Sequence, residues 1–129
     1  MKVLIADNSK SCCVSLKDEL APHWDVDTVF DGPEAINAFI LALNENQPYD
    51  VIFINIELPY SNGLEELKMM RDIEKVMGIT PDVKIIMTIA KDSTLEVLDT
   101  YYRHGCNYYL IKPVDCHDLI KLVKSFDVS

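Results

Sequence analysis

The sequence predicts an α/β protein of one domain (residues 1–129), with helices on both faces of a doubly wound parallel sheet. Three observations carry that reading. Short apolar, β-branched runs alternate with helical stripes along the whole chain. Two of the runs, residues 51–55 (VIFIN) and 83–89 (VKIIMTI), are apolar almost throughout, as central parallel strands covered on both faces are. The length of 129 residues suits one domain, which at that size buries roughly two-thirds of its unfolded surface.

Each element follows in order. Residues 2–6 (KVLIA) predict a first strand that ends at Asp7-Asn8-Ser9. A first helix follows, with Cys13, Leu16 and Leu20 facing inward. Residues 25–30 (DVDTVF) alternate, as an edge or half-covered strand does. Asp31-Gly32-Pro33 opens a helix with Ile36, Phe39, Ile40 and Leu43 on one stripe. After the strand at 51–55, Gly63 opens a helix striped by Leu64, Leu67, Met70 and Met77. The strand at 83–89 leads through Lys91-Asp92-Ser93 into a helix with Leu95, Leu98, Tyr101 and Tyr102. Gly105 follows that helix, residues 107–111 (NYYLI) make a fifth strand, and Leu119, Leu122, Val123 and Phe126 stripe the last helix. Five consecutive βα units with right-handed crossovers favour the flavodoxin-like order 2-1-3-4-5. Ligands of such sheets sit beyond the carboxyl ends of the strands, where the order switches between strands 1 and 3. Function is therefore expected at Asp7-Asn8, at Asn55 and at the ends of strands 4 and 5.

Composition excludes several classes. The net charge of -9 and the lack of a basic stretch argue against a nucleic-acid-binding face. No apolar run approaches the roughly 20 residues that span a membrane, and MKVLIAD is too short for a signal peptide, so a cytoplasmic protein is expected. Cys12, Cys13, Cys106 and Cys116 form no C-x-x-C pair and are expected to be small buried hydrophobes. His23, His104 and His117 are scattered without a paired nucleophile, and Glu65 and Glu66 are expected to be solvated helix positions. Nothing here forms a catalytic constellation, and the chain is not expected to be an enzyme.

The motifs at the strand ends carry a resemblance. Lys2 to Ser9, Tyr49 to Glu65 and Gly105 to Pro113 resemble the first strand, the third strand with its loop, and the fifth strand of bacterial response-regulator receiver domains of the chemotaxis-regulator type. Pro59 and Gly63 lie four and eight residues after Asn55, the family's spacing from its phospho-acceptor. The resemblance implies a pocket of acids that holds Mg²⁺ while the acceptor carboxylate attacks phosphorus, with a lysine neutralising the phosphoryl oxygens. It also implies a cis peptide bond at Lys112-Pro113.

Carried over residue by residue, the match is incomplete. Asp7 matches the first acid, Asn8 stands at the second, and Asn55 stands at the acceptor. An amide is a poor nucleophile, so acyl-phosphate chemistry should fail at Asn55. Glu57 supplies only its backbone carbonyl in the family scheme. Ile89 is placed at the switch hydroxyl, with Thr88 expected on the other face because side chains alternate. Lys112 and Tyr109 match the retained lysine and the aromatic switch position. Three departures in one pocket point to natural degeneracy rather than one engineered change. Mg²⁺ prefers anionic oxygen, so the weak ligand set of Asp7, Asn55 and the Glu57 carbonyl implies a metal-free pocket, with Lys112 bonded to Asn55 or Asp7. With Ile89 stiff at χ1, Tyr109 is expected to stay outward or intermediate, without a phosphorylation-driven switch.

Val97, Tyr101, Tyr102 and Ile120 are more apolar than one buried stripe requires, which suggests a docking or homodimer face on helix 4, strand 5 and helix 5. The reading that results is an atypical receiver of a two-component phosphorelay that acts through protein contacts, with a histidine kinase or a downstream signalling protein as partner. Two alternatives remain: a receiver phosphorylated at Asp7, Glu57 or Ser61, and a flavodoxin-like cofactor binder. The second would need a glycine-containing phosphate loop, which Asp7-Asn8-Ser9-Lys10-Ser11 lacks.

Overall fold

The computed structural model describes residues 1–8, 10–22, 24–55, 63–79, 83–89, 92, 94–111 and 115–126, with the backbone alone for residues 10–12 and 116. The elements are β1 (Lys2–Ala6), α1 (Lys10–Leu20), β2 (Asp25–Val29), α2 (Gly32–Asn44), β3 (Val51–Asn55), α3 (Gly63–Met77), β4 (Lys84–Ile89), α4 (Leu95–Arg103), β5 (Tyr108–Ile111) and α5 (Cys116–Ser125). All strand pairs are parallel, in the order β2-β1-β3-β4-β5. The alternating 25–30 segment is indeed an edge strand, and the continuous apolar runs are interior strands.

Local chemistry sets the helix ends. Asp31 caps α2 by accepting from the Glu34 amide at 2.8 Å, and the Glu34 carboxylate accepts back from the Phe30 amide at 3.3 Å. Pro33 fits the first turn, where its missing N–H costs nothing. Thr94 and Asp115 cap α4 and α5 in the same way, accepting from Val97 and His117 amides.

Alternation along the strands divides the core in two. Leu4, Ala6, Ile52, Ile54, Ile85, Met87 and Ile89 point to one face, under α2, α3 and α4. Val3, Ile5, Val51, Phe53 and Ile86 point to the other, where Cys13, Leu16 and Leu20 of α1 meet Leu119, Ile120 and Val123 of α5. Cys13 and Cys106 are buried, as expected.

Some expectations about burial fail. Tyr101 and Ile120 belong to the core, because each falls on the stripe of its helix that the sheet covers. Ile40, Met77, Leu95 and Tyr102 are exposed instead. Glu66 and Glu74 of α3 are buried, at 2% and 3% exposure, so Glu66 is not the solvated position that its charge suggested.

Glu74 belongs to a polar network at the amino end of β4 and β5. Arg71 Nη1 meets Glu74 Oε1 at 2.6 Å, while the other carboxylate oxygen accepts from the Val83 amide at 2.8 Å. Arg71 also donates to the Gly105 carbonyl at 2.7 and 3.0 Å and to Asn107 Oδ1 at 2.8 Å. Asn107 Oδ1 accepts from the Ile85 amide, so α3, the α4–β5 turn and β4 are tied together. Gly105 has φ +103, and a Cβ there would lie 2.7 Å from Arg71 Nε, so only glycine fits both the turn and the network. Among the described residues no helix is long and apolar enough to cross a membrane.

Candidate functional site

Three strands deliver polar side chains to one point at the carboxyl edge of the sheet. β1 ends before Asp7, β3 ends with Asn55 and β4 nearly ends with Thr88. Asn55 pairs with Thr88 across the parallel ladder, so both side chains leave the sheet on the α1–α5 side. Asp7, Asn55 and Thr88 are buried, with 7%, 8% and 2% exposure.

Asn55 is the hub. Its Nδ2 donates to Asp7 Oδ1 at 3.2 Å and to Asn8 Oδ1 at 3.4 Å. Its Oδ1 accepts from Thr88 Oγ1 at 3.1 Å. The orientation of the amide is decided by chemistry: an ionised carboxylate only accepts, so the NH₂ group must face Asp7.

This geometry corrects the expectation for strand 4. Thr88 faces the pocket, and Ile89 faces the opposite core with Ile54 and Met87. The two strands start level, Val51 against Lys84, and β4 runs one residue past β3, so Asn55 lies opposite Thr88 and Ile89 is one step out of phase. Among the described residues the pocket therefore keeps a strand-4 hydroxyl, and it departs from an acidic receiver pocket at Asn8 and Asn55.

Tyr109 is half-buried against the α2–α3–α4 core, and Tyr102 meets it edge-on with ring centroids 5.5 Å apart. Ile89 does not stand in the hydroxyl's place, so it gives no account of where Tyr109 lies. Burial raises the Tyr102 phenol pKa, with further increments from Tyr109, Cys106 and Tyr108. On the anticipated docking face, Val97 and Tyr102 are exposed, whereas Tyr101 and Ile120 are not. Glu57, Pro59, Ser61, Lys112 and Pro113 lie outside the described residues, and so do the proposed cis peptide bond and His23.

The donor set suits Mg²⁺ poorly. A divalent cation takes anionic oxygen, and among the described residues the pocket offers one carboxylate with two neutral amides. The Asn55 NH₂ also directs its hydrogens at the Asp7 and Asn8 oxygens that a cation would need. Among the described residues, no group of three or more His, Cys, Asp or Glu side chains is disposed to hold a metal.

Comparison with known proteins settles the family. The model of the response regulator receiver domain matches residues 3–124, nearly the whole chain. This chain belongs to the response-regulator receiver domain family. The receiver is 31% identical over 132 residues to the "Peroxide stress-activated histidine kinase mak3" of Schizosaccharomyces pombe, covering 99% of this chain and 5% of that protein. It is 29% identical to "Two-component response regulator ORR21" of Oryza sativa subsp. indica, covering 92% of this chain and 16% of that protein. It thus spans a small part of these curated relatives. Among solved structures, a chain of the co-crystal of the Saccharomyces cerevisiae histidine phosphotransfer protein Ypd1 with the receiver domain of Ssk1 superposes with a TM-score of 0.80. That pair shares 29% identity, with 98% of this receiver and 88% of that chain covered. The Francisella response regulator 1452 receiver domain gives a TM-score of 0.74 at 31% identity, covering 97% and 94%. The receiver thus carries the response-regulator fold along nearly its whole length.

Proposed function

We propose that this receiver domain is a binding module of two-component signalling that takes no phosphoryl group at Asn55 and needs no metal. One observation carries the reading: the Asn55 amide donates to Asp7 and Asn8 and accepts from Thr88. The hydrogens of that amide do part of the work that a cation does in an acidic pocket, since they supply positive partial charge to the Asp7 carboxylate. Asn55 has no carboxylate with which to attack phosphorus, and the domain is a ligand of other proteins rather than an enzyme.

A partner of the phosphorelay class fits: a histidine kinase, a histidine phosphotransfer protein or a downstream signalling protein in the cytoplasm. The matching chain of the Ypd1–Ssk1 co-crystal, covered over 88% of its length, belongs to a complex of a phosphotransfer protein with a receiver domain. Val97 and Tyr102 are among the exposed residues of the α4–β5–α5 face on which such a partner would rest, with the half-buried Tyr109 beside Tyr102.

Incubation with acetyl phosphate and Mg²⁺, followed by intact-mass spectrometry, tests this. No adduct of about 80 Da is expected. A stoichiometric adduct mapped to Asp7, Glu57 or Ser61 would return the domain to active phosphorelay. Magnesium titration by calorimetry gives no heat at millimolar concentration if the pocket is as read.

A further inference from the structure

We propose that α2 carries a second interface, through which two copies of this chain pair about a two-fold axis. The proposal is independent of what happens at Asn55, because α2 lies on the opposite face of the sheet.

The exposed stripe of α2 consists of Asn37, Ile40, Leu41 and Asn44. At about 100° per residue these four share one face, opposite the buried Ala35, Ile36, Phe39, Ala42 and Leu43. Ile40 is 37% and Leu41 58% exposed. A solvent-facing helix normally turns charges outward, and 26% of this chain is charged. Residues 35–44 (AINAFILALN) contain no charged side chain at all.

The stripe is also symmetric along the chain: Asn, two residues, Ile-Leu, two residues, Asn. An antiparallel copy with the axis between Ile40 and Leu41 sets Asn37 against the partner's Asn44 and Ile40 against the partner's Leu41. Each contact is then made twice, as an isologous interface requires, and each amide meets an amide that can both donate and accept.

A single helix stripe is less than the roughly 800 Å² per partner of a standard interface. The neighbouring α3 supplies more apolar surface: Met69 and Met77 are each 48% exposed, and Val76 is 87% exposed. The two helices are neighbours, so these side chains add to the apolar surface beside the stripe.

Sedimentation equilibrium of the full chain is the test. The weight-average mass should rise with concentration from 14.7 kDa toward twice that value. Leu41→Glu should weaken association at least about tenfold, because a carboxylate then enters the apolar centre of the stripe. Val14→Glu, on the exposed face of α1, should leave it unchanged. The double variant Asn37→Lys/Asn44→Lys should dissociate the pair, whereas Asn37→Glu/Asn44→Lys should hold or tighten it, since opposite charges then meet across the axis. Circular dichroism melts confirm that each variant is folded. A chain that stays monomeric at millimolar concentration overturns the proposal. So does a dimer that Tyr102→Glu dissolves and Leu41→Glu spares, which would put the contact on α4. Equal loss in the two Asn37/Asn44 double variants also overturns it.

Discussion

At the amino end of β4, a guanidinium and a carboxylate meet at 2.6 Å under near-complete burial, and their remaining groups bond to backbone and to the Asn107 side chain. At the carboxyl end of β3, an amide holds one carboxylate, a second amide and a hydroxyl with weaker, longer bonds of 3.1 to 3.4 Å. The two clusters share β4, one at its amino end and the other near its carboxyl end. They differ in how they use charge. Burying two ions is costly, and Arg71–Glu74 is tolerable because the pair is close and further hydrogen bonds satisfy it. The Asn55 cluster avoids most of that cost with neutral groups, and in doing so gives up the excess negative charge that makes a cation welcome. Full charge survives at the end of the sheet that fastens the α4–β5 turn. It is reduced at the end where receivers carry out their chemistry.

The largest effect is expected at the charged end. Glu74→Ala leaves Arg71 without its ion-pair partner and removes the acceptor of the Val83 amide, and should cost about 3–5 kcal/mol in urea unfolding. A loss below about 1 kcal/mol would make the two ends equivalent in weight.

Asn55→Asp sharpens the contrast from the other side. It replaces the donor NH₂ by a second carboxylate near 3.2 Å from Asp7, and should destabilise the metal-free domain by about 1–2 kcal/mol at neutral pH. The crowded acids raise one carboxyl pKa in the folded state. That loss is absent at pH below the ordinary carboxylate value and appears as pH rises. Added Mg²⁺ should recover the stability, measured as a rise in Tm, because it binds only the folded pocket. A variant indifferent to Mg²⁺ would mean that charge at residue 55 is not what governs the metal.

Thr88→Val removes one neutral hydrogen bond to Asn55 and should cost about 1 kcal/mol in the same assay. A comparable effect is expected at Tyr49, whose phenol donates to Asp27 at 2.7 Å. Burial pushes its pKa well above the usual phenol value, and the bond to Asp27 and nearby acids push it further. A raised acid of this kind stabilises the fold below the unfolded pKa near 10, and that contribution is lost as pH rises through the folded value. Tyr49→Phe should therefore cost about 1 kcal/mol at neutral pH and flatten the alkaline decline of stability.

Sequence pattern alone located every strand and helix, because interior strands in this fold are apolar on both faces and their helices are striped. It also placed Asp7, Asn8 and Asn55 together, since the switch point of a 2-1-3-4-5 sheet lies beyond β1 and β3. It erred where one residue of register decides the outcome. Thr88 and Ile89 are adjacent, and an apolar run such as KIIMTI contains no alternation from which to read its phase. It erred again where apolar residues exceed the buried stripe: Tyr101 and Ile120 were on the covered side, Leu95 and Met77 were not. The Arg71–Glu74–Asn107 network left no trace in periodicity, because its members are polar and distant in sequence. Gly105 was the faint clue, a glycine whose place marked a turn but not the guanidinium beside it.

The hub amide also offers a built-in probe. Its two protons point at different oxygens and are sheltered from water, as the 8% exposure of Asn55 shows. In a ¹⁵N-edited spectrum they should give a separated, slowly exchanging pair of signals. Whatever settles on the surface of this domain, those two resonances would register whether the crevice between β1 and β3 has stayed laced or come undone.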